Sequence, residues 1–173
     1  MKTYKIYLLL ICLITLKLNA QVNLILNPSF EEYWSCPNGS FDIYKVKNWF
    51  NAGGTPDCFN ACSSTVPSNG VGFQQAAIGN AYAGIVCYYN VNGVKNFREY
   101  ISVLLTNTLT IGTKYFVSFK TSAGFSQSTN VNIFTNNLGA YFSKYKLDSI
   151  SSTYAINKWH IVNTPPSSSF SKA

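Results

Sequence analysis

The side chains in this sequence best suited to chemistry are aromatic rings set among amides. The chain holds 12 Tyr, 12 Phe and 3 Trp. Trp34, Trp49, Tyr82, Tyr88, Tyr89, Tyr100 and Tyr141 stand out, with Gln74, Gln75, Asn80 and Asn90 among them. Sugar rings offer apolar C–H faces that stack on Trp and Tyr, while their hydroxyls pair with amides. Most large rings serve the core instead, because they bury well. Alternation along Ala81–Tyr89 sets Tyr82 and Tyr88 opposite Ile85, so these two form the expected outward pair, roughly 20 Å apart as i and i+6 of one strand. Gly84 between them leaves room for a ring to approach. Trp34 and Trp49, in loop-rich sequence, are the second expected platform.

Catalysis has little to work with. A glycosidase needs two carboxylates facing each other across its substrate. Glu31 and Glu32 are adjacent, so their side chains diverge, and Asp42, Asp57, Glu99 and Asp148 are scattered. A nucleophile–His–acid site would have to use His160, the single histidine, and no GxSxG elbow presents a serine. The expectation is a protein that is not an enzyme.

Residues 1–20 have the form of a secretory signal: Lys2 and Lys5 precede the apolar run Tyr7–Leu16, and Ala20 offers a cut before Gln21. That run falls short of the ~20 apolar residues a bilayer span requires, and Lys17 interrupts it. No later stretch reads as a transmembrane segment. The expected location is outside the cell or on its outer surface. Loss of Lys2, Lys5 and Lys17 leaves ten basic against six acidic residues, so the net charge falls from +7 to +4. Only Lys45/Lys47 and Lys144/Lys146 form near pairs. No clustered basic face of the kind nucleic acid requires is visible, and the charge reads as surface solvation.

Signal removal also takes Cys12, leaving Cys36, Cys58, Cys62 and Cys87. Zinc is disfavoured, since no CxxC pair occurs and His160 is remote. Four cysteines in an exported chain read as two disulfides, with three connectivities open. A Cys58–Cys62 bridge would constrain little, whereas loops of about 25 residues contribute on the order of 3 kcal/mol each. Cys36–Cys62 with Cys58–Cys87 is favoured on that ground.

The elements that must position these groups are strands. Charged residues make up 11% and hydrophobic ones 47% of the chain, which excludes disorder and coiled coil. Period-2 alternation marks strands at Ala81–Tyr89, Tyr100–Leu105, Lys114–Lys120, Asn137–Ser143 and Asn157–Val162. Shorter ones are expected at Val22–Leu26, ended by Asn27-Pro28, and near Phe41–Val46. No helical period competes. The pattern predicts an all-β, antiparallel β-sandwich over residues 21–163, followed by an unstructured Pro/Ser-rich tail at 164–173.

VNLILNPSFEEY, at Val22–Tyr33, resembles the opening strand and turn of jelly-roll carbohydrate-binding modules of the family 4/9 type. Together with GGTPDCFNACS, GNAYAGI, REYISVLL and NNLGAYFS it is similar to a secreted module of flavobacterial-type cell-surface proteins. The resemblance implies a jelly-roll, galactose-binding-like sandwich. It implies a structural Ca²⁺ held by Glu31, the Ser29 carbonyl and a late Asp; the competing role for Glu31 is to bond backbone donors, and the late acidic strand is missing here. It also implies that Cys36–Cys62 is the common bridge and Cys58–Cys87 an addition. Such modules often precede an OmpA-like peptidoglycan-binding domain or a sorting domain. In them further strands follow the one carrying Trp159, so this chain reads as a truncated copy without its last strand or strands. Self-association through an uncovered edge near Asn157–Val162 follows from that.

The functional expectation is therefore an exported, non-catalytic module binding polysaccharide or cell-surface glycan. The alternative is a structural or adhesive envelope domain.

Overall fold

The computed structural model describes residues 22–91, 93–124, 138–147, 150, 156 and 161–163. The expected signal at 1–20, the tail at 164–173, Asp148, Trp159 and His160 lie outside the described residues.

The protein is all-β, with two short 3-10 turns as its only helical elements among the described residues. Ten strands follow in chain order: β1 Trp49–Gly53, β2 Asp57–Asn60, β3 Ser68–Asn69, β4 Gly72–Phe73, β5 Ala81–Gly84, β6 Tyr89–Val91, β7 Val94–Phe97, β8 Tyr100–Val103, β9 Leu138–Ala140 and β10 Ile161–Asn163. They form five antiparallel two-stranded pairs: β1–β8, β2–β5, β3–β4, β6–β7 and β9–β10. Single bridges extend them, Ile25 to Leu105, Tyr33 to Val46 and Gly39 to Cys58.

Two of these pairs meet at the core. Ile43, Val46 and Cys58 are fully buried, with Phe30, Trp49, Ala83 and Ile101 packed against them. Trp49 and Ile101 come from β1 and β8, whereas Cys58 and Ala83 face each other across β2–β5. The chain enters this core through the Asn27–Phe30 turn. Pro28 suits its second position, and Phe30 N–H donates to the Asn27 carbonyl at 3.2 Å. Asn27 is buried, and its amide donates to the carbonyls of Glu32 and Lys47 while accepting from Glu32 N–H. A single side chain thus bonds three backbone groups of a partly buried segment, whose polar groups must find partners somewhere.

Several expected strands take other forms. Phe41–Val46 holds a 3-10 turn at Asp42–Lys45 instead of a strand. Phe41 is left-handed, with φ 65°, and the buried Asp42 carboxylate accepts from Asn38 N–H and Lys45 Nζ, both at 2.8 Å. Those local bonds outcompete an extended ladder. Ala81–Tyr89 is a strand only to Gly84, because Glu99 takes over the next backbone groups: its Oε2 accepts from Val86 N–H, and its own N–H donates to the Val86 carbonyl, both at 2.8 Å. Val22–Leu26 contributes one bridge, supported by Thr106 N–H donating to the Leu24 carbonyl at 2.9 Å. Lys114–Lys120 forms no strand and pairs with none among the described residues. Its alternation is real, but both faces lie open, with Tyr115, Phe116 and Phe119 exposed.

Candidate functional site

The outward surface around Trp34 is built by a short ladder. Trp34 N–H donates to the Lys45 carbonyl at 2.8 Å and Lys47 N–H to the Glu32 carbonyl at 2.9 Å, either side of the Tyr33–Val46 bridge. Side chains alternate across a strand. Val46 therefore turns into the core, while Glu32, Trp34, Lys45 and Lys47 share the outer face. Trp34 is 77% exposed, a large apolar surface whose ring meets the Lys47 ammonium 4.9 Å from its centroid. Its indole N–H makes no hydrogen bond among the described residues.

Beside this face lies a hollow of about 340 Å³, lined by Trp34, Tyr44, Val46, Asn48, Trp49, Phe50, Asn51 and Lys146. Its size sits at the lower end of small-ligand pockets. Trp49 is the fixed wall. Its indole N–H donates to the Asn27 carbonyl at 2.8 Å, and its ring lies 4.6 Å from that of Phe30. Trp34 and Tyr44 are the free wall, both largely exposed. The two asparagines differ. Asn51 is spent on its own turn, accepting from Gly53 N–H and donating to the Gly54 carbonyl, each at 2.8 Å. The Asn48 amide is exposed and makes no hydrogen bond among the described residues. Lys146 closes the far side, its ammonium 4.1 Å from the Phe50 ring centroid. That segment is docked by Ser102 Oγ donating to the Leu147 carbonyl at 2.9 Å and Ile150 N–H donating to the Ala52 carbonyl at 2.7 Å. Chemically, the hollow offers four aromatic side chains, a free indole donor, a free amide and an ammonium.

The other expected pair does not form a platform. Tyr82 and Tyr88 do not share a strand, since β5 ends at Gly84. Tyr82 is partly buried, its ring 5.3 Å from Phe59 and its hydroxyl accepting from Asn69 Nδ2 at 2.6 Å. Burial raises its hydroxyl pKa, against the opposing effect of that bond. Tyr88 is exposed but lies under the Arg98 guanidinium, 5.5 Å from the ring centroid. Trp34 and Trp49 are brought together. Tyr44, Asn48 and Lys146 carry no binding signal in the sequence, where the Lys144/Lys146 pair reads as surface solvation.

Glu31 has a protein partner: its Oε1 accepts from Asn80 N–H at 2.7 Å, with Gly79 packed against the carboxylate. Among the described residues no group of three or more His, Cys, Asp or Glu side chains gathers as a metal site. The calcium implied for Glu31 and Ser29 thus finds no such ligand group among the described residues.

Cys36 and Cys62 form a disulfide, with Cα atoms 6.1 Å apart. Asn60 starts the 3-10 turn carrying Cys62 by accepting from its N–H at 2.9 Å, and Ser63 Oγ donates to the Pro37 carbonyl at 2.6 Å. The second expected bridge is absent: Cys58 and Cys87 are thiols. Cys58 faces Ala83 within the core, while Cys87 lies beyond the end of β5. Burial first, with nearby carboxylates adding, pushes the Cys58 thiol up to about 12, so it stays protonated and inert.

These features define an all-β protein with a structural disulfide and an aromatic hollow at its surface. No family model, curated protein or solved structure matches the chain. No helix among the described residues is long and apolar enough to cross a membrane.

Proposed function

We propose that this protein is an exported β-sandwich module, without catalytic activity, that binds carbohydrate through the Trp34 hollow. The observation that carries the reading is the exposed indole of Trp34 and the fixed indole of Trp49 lining one hollow together with the exposed Asn48 amide. Stacking faces beside an uncommitted amide suit a sugar ring, with apolar faces and equatorial hydroxyls. The signal-like residues 1–20 and the disulfide agree with an oxidising, extracellular site of action. The β1–β8 and β2–β5 pairs sharing one core are the nucleus of the sandwich in this reading.

A glycan array on the mature protein, followed by titration calorimetry, tests it. Trp34→Ala should weaken binding about five- to thirtyfold, a loss of ~1–2 kcal/mol of stacking. The melting temperature should hold, because the backbone ladder at Trp34 does not use the ring. Tyr88→Ala should leave affinity unchanged. Absence of binding to any plant, algal or bacterial polysaccharide contradicts the reading. It would favour a structural or adhesive envelope role, which the exposed apolar side chains of Leu104, Ile111 and Phe116 would suit.

A further inference from the structure

Between Lys114 and Lys120 the chain runs Tyr115, Phe116, Val117, Ser118 and Phe119, a set rich in strand formers with no Gly or Pro to interrupt it. No strand forms there, and among the described residues none of the segment's backbone N–H or carbonyl groups is hydrogen-bonded. Its rings are open as well: Tyr115 is 42%, Phe116 77% and Phe119 43% exposed. The segment is nevertheless held at both ends. Thr113 N–H donates to the Thr110 carbonyl at 3.2 Å and Thr110 N–H to the Tyr115 hydroxyl at 2.9 Å. Past Lys120, the Ser122 hydroxyl donates to the Gln74 side-chain carbonyl. An anchored, strand-forming segment with open backbone groups is a template for a further strand.

Charge says what kind of strand. Lys114 and Lys120 are exposed and have no carboxylate at ion-pair distance among the described residues. The chain carries no acidic residue between Glu99 and Asp148. On a strand, the two lysines share a face with Phe116 and Ser118, while Tyr115, Val117 and Phe119 share the other. A second copy of the segment is a poor partner. Antiparallel pairing about Val117 sets each Lys114 against the other copy's Lys120, and parallel pairing sets each lysine against itself; like charges directly opposite are destabilising. A lipid surface is poorer still, because it leaves open backbone groups without partners in hydrocarbon.

We propose that residues 114–120 dock an extended segment of another protein by antiparallel strand addition. That segment carries acidic residues opposite Lys114 and Lys120, with apolar residues opposite Tyr115, Val117 and Phe119. The proposal is independent of the carbohydrate reading, since no residue of 114–120 lines the Trp34 hollow.

The test uses the mature protein and the capped peptide EVTVTVE, whose antiparallel register sets its glutamates against the two lysines and its valines against Tyr115, Val117 and Phe119. Calorimetry at low salt should show saturable binding, about tenfold tighter than for KVTVTVK. The gap should close near 1 M NaCl, where the screening length is about 3 Å. Amide exchange should slow about tenfold in the complex at every second residue of 114–120, because alternate N–H groups face one neighbour. Lys114→Gln with Lys120→Gln should erase the preference, and Lys114→Glu with Lys120→Glu should reverse it, both with an unchanged melting temperature. No binding of EVTVTVE, equal affinity for the two peptides at low salt, or protection confined to another segment overturns the proposal. Protection of 114–120 in the free protein overturns it too: if it depends on concentration, the occupant is a second copy, and otherwise it is the chain itself. Tighter binding to phosphatidylglycerol vesicles than to EVTVTVE overturns it in favour of a lipid surface.

Discussion

Asp57 shows how far an acidic residue in a recognisable motif can be from a catalytic one. Its Oδ1 accepts from Phe41 N–H at 2.9 Å, which holds the left-handed Phe41 at the mouth of the 3-10 turn. Burial pushes its carboxyl up to about 6, with Glu99 and Asp42 adding to the rise and the Phe41 bond opposing it. An unfolded aspartate titrates near 3.9. Between about pH 4 and 6 the native state therefore binds more protons than the unfolded one, and stability falls as pH rises through that window. Asp57 is only partly buried, so solvent screening holds the effect to about 1 kcal/mol. Asp57→Asn keeps the acceptor for Phe41 and removes the charge. Urea midpoints should match at pH 4, with the variant the more stable by about 1 kcal/mol at pH 7. Parallel pH profiles for the two proteins would contradict this account. Glu99 is likewise committed to partners within the fold. It is 5% exposed, and its Oε1 takes Thr55 N–H at 3.1 Å and Thr55 Oγ at 2.7 Å, while Oε2 takes Val86 N–H. No residue-type rule distinguishes such an acid from a ligand-binding one; only its partners do.

Among the elements, the quoted motifs turn out to serve one another. Glu31 of NPSFEEY is bonded to GNAYAGI at Asn80, and Glu99 of REYISVLL is bonded to GGTPDCFNACS at Thr55. Gly79 and Gly54 have positive φ, 69° and 74°, and a Cβ on either would collide with Glu31 or Glu99. These contacts build the frame and are silent about ligand. Strand existence at β8 and β9 was readable from alternation. The failure at Lys114–Lys120 has a plain cause: alternation reports that a segment could pair, and a partner strand has to be supplied from elsewhere. Amide hydrogen exchange separates the cases. Phe50 and Ile101, in the β1–β8 pair, should be strongly protected, whereas Tyr115, Val117 and Phe119 should exchange orders of magnitude faster. Equal protection at both would show that 114–120 is paired after all.

For the molecule as a whole, the small core places much of the burden on the Cys36–Cys62 bridge. It spans 26 residues and ties the entry loop to the 3-10 turn after β2. Replacing both cysteines by serine should cost about 3 kcal/mol by loop-closure entropy, seen as a lower urea midpoint; an unchanged midpoint would mean that the bridge contributes nothing. The all-β class is readable from composition and period, whereas the cysteine spacing gives this bridge together with a second, Cys58–Cys87, that does not form. The hollow was readable only in part, because Trp34 and Lys146 are joined by tertiary docking that no local pattern encodes. The account stands most directly on Trp34 as the contact residue. In a titration of the mature protein with its best-binding glycan, followed by the indole N–H resonances, the Trp34 signal should shift in saturable fashion and disappear from the spectrum in Trp34→Ala, which should also lose the affinity. An unmoved Trp34 signal at saturation, or full affinity in Trp34→Ala, would contradict it.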